Sequence, residues 1–101
     1  MERFVKGDIV VVRFPFSDLS SSKKRPALVI ADLSGDDYIL AQITTSREDE
    51  YSIEIKELSK PSVVRVNKLF TADRSLIFYK LSSLRKNMMD AVKEEVIKMF
   101  I

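Results

Sequence analysis

The chain has 101 residues and a mass of 11.6 kDa, which fits one domain over residues 1–101 and excludes the large cofactor-binding folds. Hydrophobic residues make up 46% and charged residues 32%, as in ordered globular chains, and 17 basic against 15 acidic residues leave a net charge of only +2, too balanced for a bulk electrostatic DNA binder. Cysteine and histidine are both absent, which excludes disulfides, thiolate zinc sites, a cysteine nucleophile and imidazole acid–base chemistry.

Any catalysis therefore falls to Arg, Lys, Asp, Glu, Ser, Thr or Tyr. No apolar run approaches the length of a membrane span, and the N-terminal MERFVKGDIV lacks a signal-peptide layout. A cytoplasmic location, with no membrane partner, is the expectation.

In chain order, DIVVVRF at residues 8–14 is a short β-branched run and reads as a strand behind a turn at Gly7. Pro15 stops it, and the serine-rich stretch 15–24 reads as a loop ending in Lys23, Lys24 and Arg25. Residues 26–31 (PALVIA) and 38–45 (YILAQITT) read as two strands joined by a turn at LSGDD. A charged loop, SREDE, leads to YSIEI, whose alternation marks a half-buried strand. VVRV at 63–66 and LIFY at 76–79 read as further strands, with the intervening NKLFTADR ambiguous. From Lys86 to Phe100 no Gly or Pro occurs, and Met89, Val92, Val96 and Met99 recur on one helical face. Asn87 is the expected N-cap, and Glu94 with Lys98 the expected ion pair. The fold class is mainly β with a C-terminal helix, a small bent sheet or barrel of five to seven strands.

Four local features could carry chemistry. Lys23-Lys24-Arg25-Pro26 is the sharpest, because the proline holds Arg25 extended and a guanidinium matches a phosphate with two parallel hydrogen bonds. Against this stands the plain reading of a solvated basic loop. Thr44-Thr45-Ser46 places hydroxyls at a strand end, although threonine is simply a good strand residue. Phe14-Pro15-Phe16-Ser17 sets aromatics beside cations, as a stacking platform for unpaired bases or as core. Arg65 and Asn67 share one face of a strand. Glycine-rich phosphate loops and nucleophile elbows are absent.

GDIVVVRFPFSD, KKRPALVI, YILAQITTS and SVVRVNKLFTADRSLI, followed by a closing helix, resemble in this order the MazF/PemK family of toxin ribonucleases. The resemblance spans about residues 6–100, and KLFT is typical of the PemK-like branch. It implies an SH3-like barrel of the MazF/PemK/CcdB type, a homodimer, and metal-independent, sequence-specific cleavage of single-stranded RNA with no cofactor. It further implies a cognate antitoxin whose disordered tail blocks the RNA groove, with DNA contacted only through that antitoxin.

By the same resemblance Arg25 and Thr44 are the catalytic residues. Phe16, Ser17, Lys23, Lys24, Thr45, Ser46, Arg65 and Asn67 are expected to hold RNA. Two departures stand out: Asn67 occupies a position where some relatives carry an aspartate proposed as general base, and Ser21 stands where a glycine is common. The alternative is a non-catalytic binding protein on the same fold, such as a gyrase poison, an RNA-binding regulator or a peptide adaptor. The ending Lys98-Met99-Phe100-Ile101 does not resemble the Trp-Gly-Ile ending of the gyrase poison.

Overall fold

The computed structural model describes residues 3–14, 24–45 and 51–101. Phe16, Ser17, Ser21, Lys23 and Ser46 lie outside the described residues. Six strands follow in order: β1 (Asp8–Arg13), β2 (Lys24–Asp32), β3 (Asp37–Thr44), β4 (Ser52–Ile55), β5 (Ser62–Asp73) and β6 (Ile77–Ser83). A 3-10 turn at Arg74–Leu76 joins β5 to β6, and helix α1 (Lys86–Lys98) closes the chain.

All pairings are antiparallel, in the spatial order β4-β5-β3-β2-β1-β6. The sheet is strongly bent and barrel-like but not closed by hydrogen bonds among the described residues: β4 and β6 are its ends. Both faces of its centre are buried, which is why β1 reads as a continuous apolar run instead of an alternating one. On one face Val10, Val12, Ala27, Val29, Leu40 and Phe70 pack with Phe4 and Ile77. On the other, Ile9, Leu28, Ile43, Val64 and Val66 pack beneath Met89 and Val92 of α1. Each fully buried aliphatic side chain contributes about 1.5–3 kcal/mol relative to exposure.

The bending has identifiable causes. Ala41 pairs with Leu69 but Gln42 with Arg65, so Val66, Asn67 and Lys68 have no partner on β3. This wide bulge lets β5 turn a corner, pairing with β4 before it and with the first half of β3 after it. NKLFTADR, ambiguous in sequence, is therefore the bulge and second half of one long strand up to Asp73, with Arg74 opening the 3-10 turn. Smaller shifts leave Ile30 unmatched in β2, and Phe78 and Leu81 unmatched in β6. Gly35, at φ 87°, makes the turn between β2 and β3, where Leu33 N–H donates to Asp37 O over 3.0 Å.

Three sequence expectations are corrected. Strand β2 begins at Lys24, two residues before Pro26. The ladder to β3 begins only at Ala27, so the missing N–H of Pro26 costs no bond on that side. The N-cap of helix α1 is Arg85, not Asn87, and Arg85 makes no side-chain cap. Its place is taken by Glu57, whose carboxylate accepts the Arg85 N–H over 3.1 Å from another part of the chain. Lys98 pairs with Glu95 at 3.3 Å, three residues back, instead of with Glu94.

Candidate nucleic-acid interface

The site is built where β2, β3 and β5 meet at the rim of one sheet face. Ala27 pairs with Gln42, and Gln42 pairs on its other side with Arg65. Arg25 lies two residues before Ala27 on β2, and Thr44 lies two residues after Gln42 at the end of β3, so both fall on the face that Ala27 and Gln42 share. Paired residues of an antiparallel sheet share a face, so Arg25, Gln42, Thr44 and Arg65 all point the same way. That face is the one closed further in by Val10, Val12 and Leu40. The apolar layer beneath holds the polar rim in place.

Aromatic rings fix the edge of this rim. Phe14 meets Phe70 edge-on, with ring centroids 5.2 Å apart. The Arg25 guanidinium carbon lies 5.8 Å from the Phe14 centroid, within cation–π range. Such a contact restrains a long, half-buried side chain. Beside it lies an open pocket of about 450 Å³, lined by Phe14, Gln42, Arg65, Asn67, Lys68 and Phe70, with Leu69. The β5 bulge makes this pocket, because the residues it loops out, Asn67 and Lys68, form one wall. No described residue lining the pocket is acidic. Arg65 and Lys68 make it cationic.

Two expected residues are placed elsewhere. Lys24 pairs with Arg13 and so faces away from Arg25, with its ammonium 4.7 Å from the Phe78 ring centroid. Thr45 lines a separate shallow pocket with Pro26, Lys60 and Leu81 on that opposite side. Arg65 and Asn67 do come together: Val64 and Val66 face the helix, and alternation sets Arg65 and Asn67 on the other side, in one pocket. Sequence reasoning missed Gln42 and Lys68. Gln42 left one signal, a lone amide inside the apolar run YILAQITT. Lys68 left none, since its position depends on the register shift.

A bent antiparallel sheet with one covering helix and a cationic cleft at the rim defines a small barrel-like protein with a candidate interface for a phosphodiester. The chain belongs to the family described as PemK-like, MazF-like toxins of type II toxin–antitoxin systems, whose family model matches residues 5–100. Among curated protein sequences none matches this chain. Solved structures share its fold. The Mycobacterium tuberculosis toxin MazF-mt6 is 20% identical, with a TM-score of 0.76 over 92% of this chain and 95% of its own. MazF from Deinococcus radiodurans is 18% identical, with a TM-score of 0.78 over 95% and 94%. A mycobacterial endoribonuclease in complex with its cognate antitoxin is 11% identical, with a TM-score of 0.80 over 97% and 95%. No helix among the described residues is long and apolar enough to cross a membrane.

Proposed function

We propose that this toxin is a metal-independent endoribonuclease that cleaves single-stranded RNA at short specific sequences. The observation that carries this reading is that Arg25 of β2 and Thr44 of β3 share one sheet face beside a cationic, open pocket. A single-stranded phosphodiester is the ligand that such a rim fits. The guanidinium takes two phosphoryl oxygens in parallel, and the threonine hydroxyl donates to one of them.

In the reaction the ribose 2′-oxygen attacks the adjacent phosphorus. The 2′-O–P bond forms and the P–O5′ bond breaks, giving a 2′,3′-cyclic phosphate and a 5′-hydroxyl. A guanidinium keeps its protons at physiological pH, so Arg25 stabilises the charge that develops on the phosphoryl oxygens and does not act as base. Asn67 cannot accept a proton either. The 2′-OH proton leaves to solvent, and the 5′-oxygen takes one from solvent. Such a site works by placement and charge, and cleaves more slowly than one with a carboxylate base.

The same reading gives the chain an antitoxin partner, as one structural relative has, and places both in the cytoplasm with their RNA target. It also gives a homodimer. The exposed edge strand β6, with Phe78, Tyr79 and Leu81 turned to solvent, supports a face for a second copy.

The test is incubation of a long single-stranded RNA with purified protein in EDTA, beside Arg25→Ala. The expected result is wild-type fragments ending in cyclic phosphate and none from the variant. Folded protein that leaves RNA intact overturns the reading. It would favour the second one, a binding protein on this fold, to which the Asn67 departure lends support.

A further inference from the structure

Resting on the ribonuclease reading, we infer that Arg13 and Lys24 form a second phosphodiester subsite, on the sheet face opposite Arg25, that holds the backbone of the same single-stranded RNA without regard to sequence. The two cations are directly paired in the β1–β2 ladder. Paired residues of an antiparallel sheet share a face, so the guanidinium and the ammonium leave the sheet on the same side. Both residues are exposed. Among the described residues neither has an ion-pair partner. Like charges set directly opposite each other in a sheet are destabilising. The pair therefore weakens the free chain, and an anion bound between the two cations relieves the repulsion.

The surroundings fit a phosphate on a nucleic-acid strand. Two residues further in on the same face Val11 pairs with Pro26, and Tyr79 of β6 pairs with Val11 on its other side. None of these positions is acidic, so no paired neighbour competes for the cations. The Lys24 ammonium stands 4.7 Å from the Phe78 ring centroid, which restrains it on the β6 side of the pair. Arg13 supplies the fork that takes two phosphoryl oxygens, and Lys24 adds a point charge. Lys24 and Arg25 are the first two residues of β2 and alternate across the sheet. A strand whose scissile phosphate lies on Arg25 thus runs along this same sheet end, with a further phosphate in reach of Arg13 and Lys24. That continuity with the cleavage rim favours an RNA backbone over an acidic peptide. Such a contact carries affinity and placement, not sequence.

A neutral-linkage scan tests the inference. Single-stranded 2′-deoxy oligonucleotides, which lack the attacking hydroxyl and stay intact, are made with one methylphosphonate at each linkage in turn. Affinity is measured for the wild type and for the double variant carrying Arg13→Gln and Lys24→Gln. In the wild type, neutralising one linkage away from the scissile position should weaken binding by about threefold or more, and the same change should have no effect in the variant. The variant should also flatten the slope of log affinity against log salt by about 0.7, the value for one phosphate on a single strand, whatever the base sequence. No linkage coupled to the pair, or an unchanged slope, overturns the subsite.

The denaturation midpoint of the variant should not fall, because a repulsive pair has been removed. A lower midpoint would make the pair structural and overturn the subsite. A changed mass by light scattering would place the pair between copies of the chain and overturn it too. Wild-type binding of a hexaglutamate peptide that the variant loses, with no coupled linkage, would overturn it in favour of an acidic protein partner. The ribonuclease reading is judged separately, by wild-type cleavage of RNA in EDTA. Cleavage with no coupled linkage overturns the subsite alone, and a coupled linkage without cleavage overturns the ribonuclease reading alone.

Discussion

The guanidinium carbon of Arg25 stands 5.8 Å from the centre of the Phe14 ring, and Phe14 in turn abuts Phe70 edge-on at 5.2 Å. The cation proposed to receive the phosphate is thus steadied by a ring that is itself anchored on the apolar layer of the sheet. Lysine at this position would keep the charge but lose both the fork and the planar stacking surface. Arg25→Lys is therefore expected to cut the single-turnover cleavage rate by about 10²–10³-fold, the loss seen when one donor to a developing oxyanion is removed. Denaturation midpoints should match the wild type. A lysine variant within a few-fold of wild type would show that charge alone suffices.

Thr44→Val keeps the strand shape and removes only the hydroxyl. A hydrogen bond to a charged partner contributes about 1.5–3 kcal/mol, or about ten- to a hundredfold in rate. That loss should appear in the single-turnover rate at saturating RNA, with affinity nearly unchanged. An effect confined to affinity would place Thr44 in binding instead of in the transition state.

Legibility in the sequence followed how local each feature is. The runs that became β1 and β2 are apolar on both faces and needed no partner to be read. Arg25 stands out in the sequence because Pro26 follows it, whereas Thr44 is singled out only by the family resemblance. Features made by two distant segments were not legible. Val66, Asn67 and Lys68 loop out only because of how β5 is registered on β3, so the pocket had no local mark. Lys24 was grouped with Arg25 as a neighbour, yet strand alternation sends the two to opposite faces. Asn87 looked like an N-cap by residue type, while the carboxylate at that helix end comes from the far side of the sequence.

That carboxylate gives a pH-dependent prediction. Burial pushes the Glu57 carboxyl up, but the backbone N–H groups of Arg85 and Lys56 and the Arg85 guanidinium outweigh it and hold it below its ordinary value of 4.5. The bonds are 3.1 Å from Arg85 and 3.0 Å from Lys56. A depressed value in the folded state means that ionised Glu57 stabilises the fold above its ordinary range. The stabilisation is lost as pH falls through the depressed value. Glu57→Gln should then cost about 1 kcal/mol at neutral pH, the usual magnitude of a lost helix cap. The gap to wild type should close in acid, as read by urea denaturation across pH. A constant gap would mean that Glu57 acts by shape and not by charge.

The edge strand β6 supplies the last prediction. Phe78 is 39% exposed, Tyr79 51% and Leu81 47%, and no described strand pairs with the outer edge of β6. Asp8 and Lys80 meet at 3.2 Å and tie β6 to β1, so the edge is presented on a fixed frame. Covering the exposed half of such a leucine is worth about 0.7–1.5 kcal/mol, enough to shift a dimer equilibrium about three- to tenfold. Light scattering should give the wild type twice the 11.6 kDa chain mass. Leu81→Lys, which blunts the edge with a charge, should move the species towards the monomer without changing the denaturation midpoint of the monomer. If Leu81→Lys stays fully dimeric, the second copy sits on another face. If the wild type is monomeric, the proposed homodimer itself is excluded.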